Sequence, residues 1–301
     1  MPRFRSFGLT IDSPVPLGLP AGEPGGAGAV SVQSGPVPHP SDSERVDGDG
    51  CWHATADRAL YFWPDVGAFE VAGGDTIRLD PADGVDTDTL RLTILGPLIA
   101  TVLHQLGYLV LHASALKGAS GAVGVCAHSG TGKSTTAAAL GDRGYDLLTD
   151  DVLAIDVSGS TPVVLPGGAG IKLWETSAQA LGRDPEAIDT IGERYTKLAL
   201  PIRPVDAQAP LRALYVLERG DARPPEGMSR PRAVGEVMSR SYCSELLRLH
   251  GADENLALAS ALVRAVPVLA LVRGETFEGF EAWSQDLADD VRTRIGAPAQ
   301  G

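Results

Sequence analysis

The sequence predicts an α/β fold with a mixed β-sheet, built around a short loop between a strand and a helix and preceded by a β-rich N-terminal part. Residues 121–126 (GAVGVC) form an apolar run long enough for one buried strand, and the Ala-rich run from Ser134 that stops at Gly144 is typical of a helix. The loop sequence AHSGTGKS joins the two. Short hairpin-like connections between the other strands predict a mixed sheet. We expect a β-rich region at 1–85 packed on the core, followed by an α/β domain at 86–301.

The loop has the residue types that hold a triphosphate. Gly130 and Gly132 permit a close approach of the backbone, and the following helix directs its positive dipole end at the same point. Lys133 supplies a charge for the β- and γ-phosphates, and the Ser134 hydroxyl suits Mg²⁺. Ala127 departs from the pattern G-x4-G-K-[ST], but its methyl group is sterically mild. A chance match in a Gly- and Ala-rich chain is the alternative, although the full pattern between a strand and a helix is uncommon by accident. The predicted nucleotide-binding residues are His128, Ser129, Gly130, Thr131, Gly132, Lys133, Ser134 and Thr135.

Three polar residues that flank the loop predict an active site. Asp150 and Asp151 follow the strand YDLL, and His112 lies in the apolar strand LVLHASAL upstream. A carboxylate at a strand end beside such a loop holds Mg²⁺, and a second can accept a proton from an attacking hydroxyl. Without the loop, a polar turn and a core histidine would be the simpler interpretations. We expect Ser134 and Asp150 to be the metal ligands, and Asp151, His112 and Lys133 to be catalytic. The two aspartate roles can be exchanged, because adjacent strand-end residues point to opposite sides.

The N-terminal part is predicted to consist of short strands and irregular loops. Strands are expected at 7–12 and 30–33, and Gly73-Gly74 is expected to close a hairpin between AFEVA and TIRLD. Asp86 or Asp88 can cap a helix that runs to about Gly107.

The remaining elements alternate between strands and helices. Strands are predicted at 109–116, 145–149, 151–157 and 211–218, with 163–164 continuing the sheet and PVLALVRG as a last buried strand. A flexible loop is predicted before a helix LWETSAQAL, and a surface loop at GDARPPEGMSRPR. Two helices are predicted at 234–265 with a break at Gly251, and a closing helix at 277–295. Candidates for neutralising charge on the γ-phosphate are Lys172, Arg194 and Lys197.

Composition limits the class of partner. The net charge of −13, from 38 acidic and 25 basic residues, argues against nonspecific nucleic-acid binding. Three widely spaced cysteines give no disulfide framework, and the first residues lack a secretory apolar core, so we expect a cytoplasmic protein. The apolar stretch from Leu92 to Leu111 is interrupted by Gly and Pro, so we expect no membrane span. Homo-oligomerisation stays open.

The order LHASAL, HSGTGKST, LLTDDVLAID resembles the kinase domain of the HPr kinase/phosphorylase superfamily, most of all its smaller HPr-kinase-like members. The resemblance covers roughly residues 90–275 and continues through VVLPGGAGIKLWETSAQALG and LRALYVLE. It implies a P-loop core like that of the HPr kinase C-terminal domain and PEP carboxykinase. It also implies that His112, the loop up to Thr135, Asp150 and Asp151 surround ATP and Mg²⁺ while a serine hydroxyl is phosphorylated.

Two departures from the family pattern concern the acceptor. Thr135-Thr136 stands where the bacterial enzyme carries an acidic residue, and GGAGIKLW stands where an arginine-bearing signature is expected. They argue against HPr as substrate and against the reverse phosphorolysis. The sequence therefore predicts an ATP-dependent kinase acting on a hydroxyl of a peptide, small protein or metabolite. The alternatives are a small-molecule kinase of secondary metabolism and a non-catalytic ATP-binding accessory protein.

Overall fold

The computed structural model describes residues 1–22, 28–41, 50–168, 170–188, 197–200, 205 and 207–298. Contacts divide the chain into two compact units, residues 1–110 with 241–258 and residues 111–240 with 259–301. The predicted boundary after residue 85 stays a prediction.

The first unit contains a seven-stranded sheet. Its strands are β1 Arg3–Ser6, β2 Leu9–Asp12, β3 Ala29–Ser34, β4 Cys51–Ala54, β5 Arg58–Trp63, β6 Gly67–Ala72 and β7 Thr76–Pro81, in the order β1-β2-β3-β7-β6-β5-β4. The pairs β2–β3 and β3–β7 are parallel, and the others are antiparallel. Gly73 and Gly74 close the β6–β7 hairpin with φ of 64° and 71°, as predicted.

The helical segment after this sheet begins where the sequence predicts but is not one continuous helix. Asp86 is the N-cap of α1 (Thr87–Thr93) and accepts a hydrogen bond from the Thr89 N–H at 2.8 Å. A π-helical turn at Ile94–Leu98 separates it from α2 (Ile99–Gln105). Pro97 lies inside that turn and cannot donate to the helical hydrogen-bond ladder, which accounts for the break.

The later elements are a second set of strands and six further helices. The strands are β8 Leu109–Gly118, β9 Gly121–Ala127, β10 Asp146–Thr149, β11 Val152–Asp156, β12 Val163–Val164, β13 Ile171–Trp174, β14 Lys197–Leu200, β15 Ala209–Arg219, β16 Arg223–Gly227 and β17 Val268–Arg273. The helices are α3 Lys133–Asp142, α4 Glu175–Ala180, α5 Arg230–Ser239, α6 Ser244–Leu249, α7 Ala252–Ala265 and α8 Phe280–Ile295, with a 3-10 turn at Pro185–Ala187.

The sheet of the second unit is mixed, as the short connections predict. Its order is β10-β8-β11-β12-β15-β17-β16, with β9 paired to both β8 and β15. β15 runs parallel to β9 and β17, while β8 and β16 run antiparallel to their partners β9 and β17. Helix α8 buries Trp283, Leu287 and Val291 in a core shared with β9 and β15. Because β9, β15 and β17 are parallel, their carboxyl ends meet at one edge, where ligands of α/β sheets bind.

Three predictions about local structure are wrong. Residues 223–227 form the outermost strand and not a loop, because an edge strand tolerates Pro224 and Pro225, which cannot donate to a neighbour. Residues 171–174 pair with β14, so the predicted helix begins only at Glu175. The region 234–265 has an additional break before α6, where Cys243 adopts a left-handed φ of 57°.

Across the described ranges, every helix is too short or too polar to cross a bilayer.

A buried carboxylate joins three strands of the first sheet. Glu70 on β6 pairs with Arg58 on β5 at 2.5 Å and with Arg78 on β7 at 2.6 Å, and its side chain is 9% exposed. We predict that Glu70→Gln lowers the free energy of unfolding by about 1–2 kcal/mol, since both arginines keep access to solvent. Urea unfolding checks this, with Glu226→Gln on the exposed strand β16 as a neutral control. Equal stabilities of the two variants would contradict the prediction.

Candidate functional site

The predicted phosphate-binding loop joins β9 to α3. Gly130 and Gly132 have φ of 79° and 113°, in the left-handed region that favours glycine. A Cβ at Gly132 would also lie 2.7 Å from Nη1 of Arg273, so alanine there strains the backbone and displaces the end of the arginine side chain. Within the loop, the Thr131 N–H donates to the His128 carbonyl at 3.2 Å. Lys133 is the first residue of α3, so the N-terminus of this helix is directed at the loop.

Asp150 is the centre of a buried hydrogen-bond network behind the loop. Its Oδ1 accepts from Ser114 Oγ at 2.5 Å and from Lys133 Nζ at 3.0 Å. Ser134 Oγ lies 3.3 and 3.2 Å from the two carboxylate oxygens, and the Lys172 N–H donates to Oδ2 at 3.3 Å. The side chains of Lys133 and Asp150 are only 8% and 1% exposed. The loop lysine, the following serine and the strand-end carboxylate therefore meet at one point.

The charge state of Asp150 follows from this environment. Burial raises the pKa of the Asp150 carboxyl, but the Lys133 ammonium and the hydrogen bond from Ser114 lower it more, while Asp151 acts in the opposite direction. The net effect is a pKa below the ordinary value, so the group is ionised at neutral pH. It pairs with Lys133 as a carboxylate.

Asp151 faces a different set of partners. Its Oδ1 lies 3.1 Å from His112 Nδ1, and its Oδ2 lies 3.5 Å from Lys172 Nζ. Burial raises the pKa of Asp151, but the hydrogen bond from His112 and the nearby Lys172 and Lys133 charges bring it well below its usual range. Asp151 has a φ of 80°, a conformation that is uncommon outside glycine and recurs at functional sites. This turn sends two consecutive carboxylates to separate partners.

A cavity of about 220 Å³ brings most of the predicted residues together. The predicted residues that line it are His112, His128, Ser129, Gly130, Gly132, Lys133, Ser134, Thr135, Asp151 and Lys172. Asp150 is not part of this lining, because it is buried behind the loop. The hydroxyl of Thr135 donates to Ser177 on α4 at 2.9 Å, at the position where the resemblance led us to expect an acid. Arg194 lies outside the described residues, as does the side chain of Lys197.

Eight of the described residues at this site were not predicted from the sequence. They are Ser114, Leu173, Trp174, Thr176, Ser177, Arg219, Arg273 and Phe277. A signal for Ser114 was present, because it is two residues from His112 and side chains at i and i+2 share one face of a strand. The two arginines also carried a signal, since the apolar runs of β15 and β17 both end in Arg-Gly. Nothing local marked Trp174 or Phe277.

No protein-family model matches the chain, and no curated protein matches it. Among solved structures, the chain is similar to the Hpr(Ser) kinase/phosphatase from Coxiella burnetii. That match has 13% sequence identity and a TM-score of 0.31, and it covers 61% of this chain and 97% of the other. So distant a likeness does not transfer the activity of that enzyme to this chain.

The loop glycines provide a matched pair of substitutions. We predict that Gly132→Ala lowers the free energy of unfolding by about 1–3 kcal/mol, because the new methyl group strains the backbone and displaces Arg273. Gly141→Ala lies within α3 with open space around it, and alanine should stabilise the helix by about 0.5–1 kcal/mol. Urea unfolding of the two variants would contradict this if Gly132→Ala were as stable as Gly141→Ala.

The lowered pKa of Asp150 predicts a pH dependence. A carboxyl whose pKa is lower in the folded state stabilises the fold above its unfolded value of about 3.9, and this contribution is lost as the pH falls through the folded pKa. Asp150→Asn leaves Lys133 buried without its ion-pair partner, so we predict a loss of about 3–5 kcal/mol at neutral pH. The difference from wild type should shrink below about pH 4. Thermal unfolding across pH checks this, and a difference independent of pH would contradict it.

Proposed function

We propose that the chain is an ATP-dependent kinase that transfers the γ-phosphoryl group to a hydroxyl, with a serine of a peptide or small protein as the acceptor class and a metabolite hydroxyl as the alternative. One observation carries the proposal. Two consecutive carboxylates stand beside a loop with the phosphate-binding pattern, one bonded to the loop lysine and serine and the other to a histidine and a second lysine. Nucleotide binding alone requires no second carboxylate with its own cationic partners.

Phosphate binding in this proposal falls to the loop and the start of α3. The N–H groups of residues 130–135 and the positive end of the helix dipole attract the anionic chain. Lys133 contacts the β- and γ-phosphates, which requires its ammonium to share or exchange its bond with Asp150. The Lys133 side chain lines the cavity and is only 8% exposed, so its ammonium is already in position before a nucleotide binds.

The oxygen atoms of Asp150 and Ser134 are suitable ligands for Mg²⁺. Ser134 and Asp150 supply a hydroxyl and a carboxylate within 3.3 Å of each other, and Mg²⁺ prefers such oxygen ligands. Within the described ranges, no group of three or more His, Cys, Asp or Glu could hold a metal by itself. This suits an ion that takes one or two protein ligands and completes its shell with phosphate oxygens and water. When bound, Mg²⁺ offsets negative charge on the phosphates.

Asp151 is the proposed base on the acceptor hydroxyl. As the hydroxyl oxygen forms its bond to the γ-phosphorus, the bond from that phosphorus to the β–γ bridging oxygen breaks, ADP leaves and the hydroxyl proton passes to Asp151. A carboxylate with a lowered pKa is a weak base, but phosphoryl transfer depends mainly on positioning and charge. His112 and Lys172 orient Asp151, and Lys172 can neutralise charge on the transferred group.

Labelled ATP tests the proposal directly. The protein is incubated with γ-labelled ATP, Mg²⁺ and separate panels of serine peptides and small hydroxyl metabolites, and the label is followed into product. Transfer to a peptide supports the preferred acceptor class, and transfer to a metabolite supports the alternative. Tight ATP binding without any product would contradict the kinase proposal and favour an accessory protein.

Two variants separate binding from transfer. We predict that Asp151→Asn keeps its ATP affinity but loses about 10²- to 10⁴-fold in transfer, since it cannot accept the proton. Lys133→Met should lose ATP affinity. Asp156→Asn, at the end of β11, is the matched control and should retain both properties, because among the described residues the hydrogen bonds of the Asp156 carboxylate come from Ser158. Full turnover by Asp151→Asn would remove Asp151 as the base.

A further inference from the structure

We infer that Arg273 is a second anion-binding residue of the cavity and that its guanidinium contacts a phosphate oxygen of the nucleotide. The inference rests on the proposed function and adds a binding residue to it. Neither the loop pattern nor the paired aspartates assigns any role to this side chain. Its position, its burial and its lack of a hydrogen-bond partner at one nitrogen lead to the inference.

Arg273 lies at the edge of the sheet where the carboxyl ends of β9, β15 and β17 meet. It is the last residue of β17 and the register partner of Arg219, the last residue of β15. In the parallel pair β9–β15, Ala127 at the end of β9 is the register partner of Leu217 of β15, so β9 ends at the same edge of the sheet. Nη1 of Arg273 lies against Gly132, and the side chain lines the cavity. The guanidinium is therefore adjacent to the loop whose amides are proposed to hold the phosphates.

The guanidinium is buried without a matching acceptor. Arg273 is 1% exposed, and within the described part of the chain Nη1 has no hydrogen-bond partner. Nε makes a long contact of 3.4 Å with the Gly274 carbonyl. The rings of Phe277 and Phe280 lie 5.0 and 5.4 Å from the guanidinium carbon. Among the described residues, no carboxylate pairs with this arginine.

Such an arrangement is costly for the protein alone. A buried charge without a paired carboxylate loses hydration that the aromatic faces replace only in part, and arginine does not escape by losing its proton. Burial lowers the pKa of Arg273 and the adjacent charge of Arg219 lowers it further, while the Glu275 carboxylate acts in the opposite direction. An anion that enters with the ligand would remove this cost. Phosphate is the anion that best fits, since the guanidinium fork matches its oxygens and the phosphate loop is adjacent.

The neighbouring arginine has a different task. Arg219 donates through Nη2 to the Gly130 carbonyl at 3.1 Å and through Nη1 to the Glu275 carbonyl at 2.7 Å. The bond to Gly130 holds the loop, so Arg219 is a positioning residue. Of the two arginines, Arg273 has the buried nitrogen without a partner among the described residues.

Binding measurements on three variants test the inference. Calorimetry gives the affinities for Mg-ATP and for inorganic pyrophosphate, and thermal unfolding gives the stability without ligand. Arg273→Met and Arg273→Lys are compared with Arg294→Met. The control arginine also lies over a ring, 5.9 Å from Tyr215, but it is paired with Asp290 at 2.8 Å and is not part of the cavity lining.

We expect Arg273→Met to lower the affinities for ATP and for pyrophosphate by a similar factor of about 10- to 100-fold. Its stability without ligand should be unchanged or higher, because the buried unpaired charge is gone. Arg273→Lys should keep part of the affinity, and Arg294→Met should lose stability but not affinity. This opposite pattern separates a ligand-binding arginine from one that only packs.

Other outcomes would contradict the inference about Arg273 or would contradict the kinase proposal alone. Lower stability of Arg273→Met with unchanged affinities would make Arg273 a packing residue. Loss of ATP affinity with full pyrophosphate affinity would assign it to the nucleoside. Wild-type protein that binds neither ligand would overturn both proposals. Pyrophosphate and ATP binding that depends on Arg273, without phosphoryl transfer, would remove the kinase proposal and support this one.

Discussion

The ion pair between Asp150 and Lys133 is the constraint on which the site depends. A carboxylate at 1% exposure needs several donors to remain charged, and Ser114, Lys133, Ser134 and the Lys172 N–H provide them from three other segments of the chain. The strand β8, the loop, the β10–β11 turn and β13 are thereby joined at one group. Changing any one of these donors alters the charge balance of all the others.

The turn at Asp150 and Asp151 gives two neighbouring carboxylates different partners. Because Asp151 has a left-handed backbone conformation, its carboxylate points to His112 and Lys172 and not into the Lys133 network. From the sequence alone, either aspartate could face the loop serine. The hydrogen bonds of Ser134 go to Asp150, and the role of Asp150 as a metal ligand stays a proposal.

Local features were predictable from the sequence, and long-range ones were not. The Asp86 cap, the Gly73-Gly74 hairpin and the strand and helix around the loop follow from residue types a few positions apart. Strand β16 escaped prediction because its prolines signal a loop unless β17 is known to lie beside it. Arg219 bonds to Gly130 across 89 residues of chain, and no periodicity connects those two positions. Arg273 likewise acquires its place only when β17 aligns with β15.

The bond from Arg219 to the Gly130 carbonyl has a consequence for how the loop meets a ligand. A glycine-rich segment would otherwise sample many backbone conformations and lose that freedom on binding, at a cost of about 1–2 kcal/mol per residue. Here a strand of the sheet holds one of its peptide groups in advance. Part of this ordering cost is then incurred during folding, which, under the proposed function, leaves more of the contact energy available as affinity.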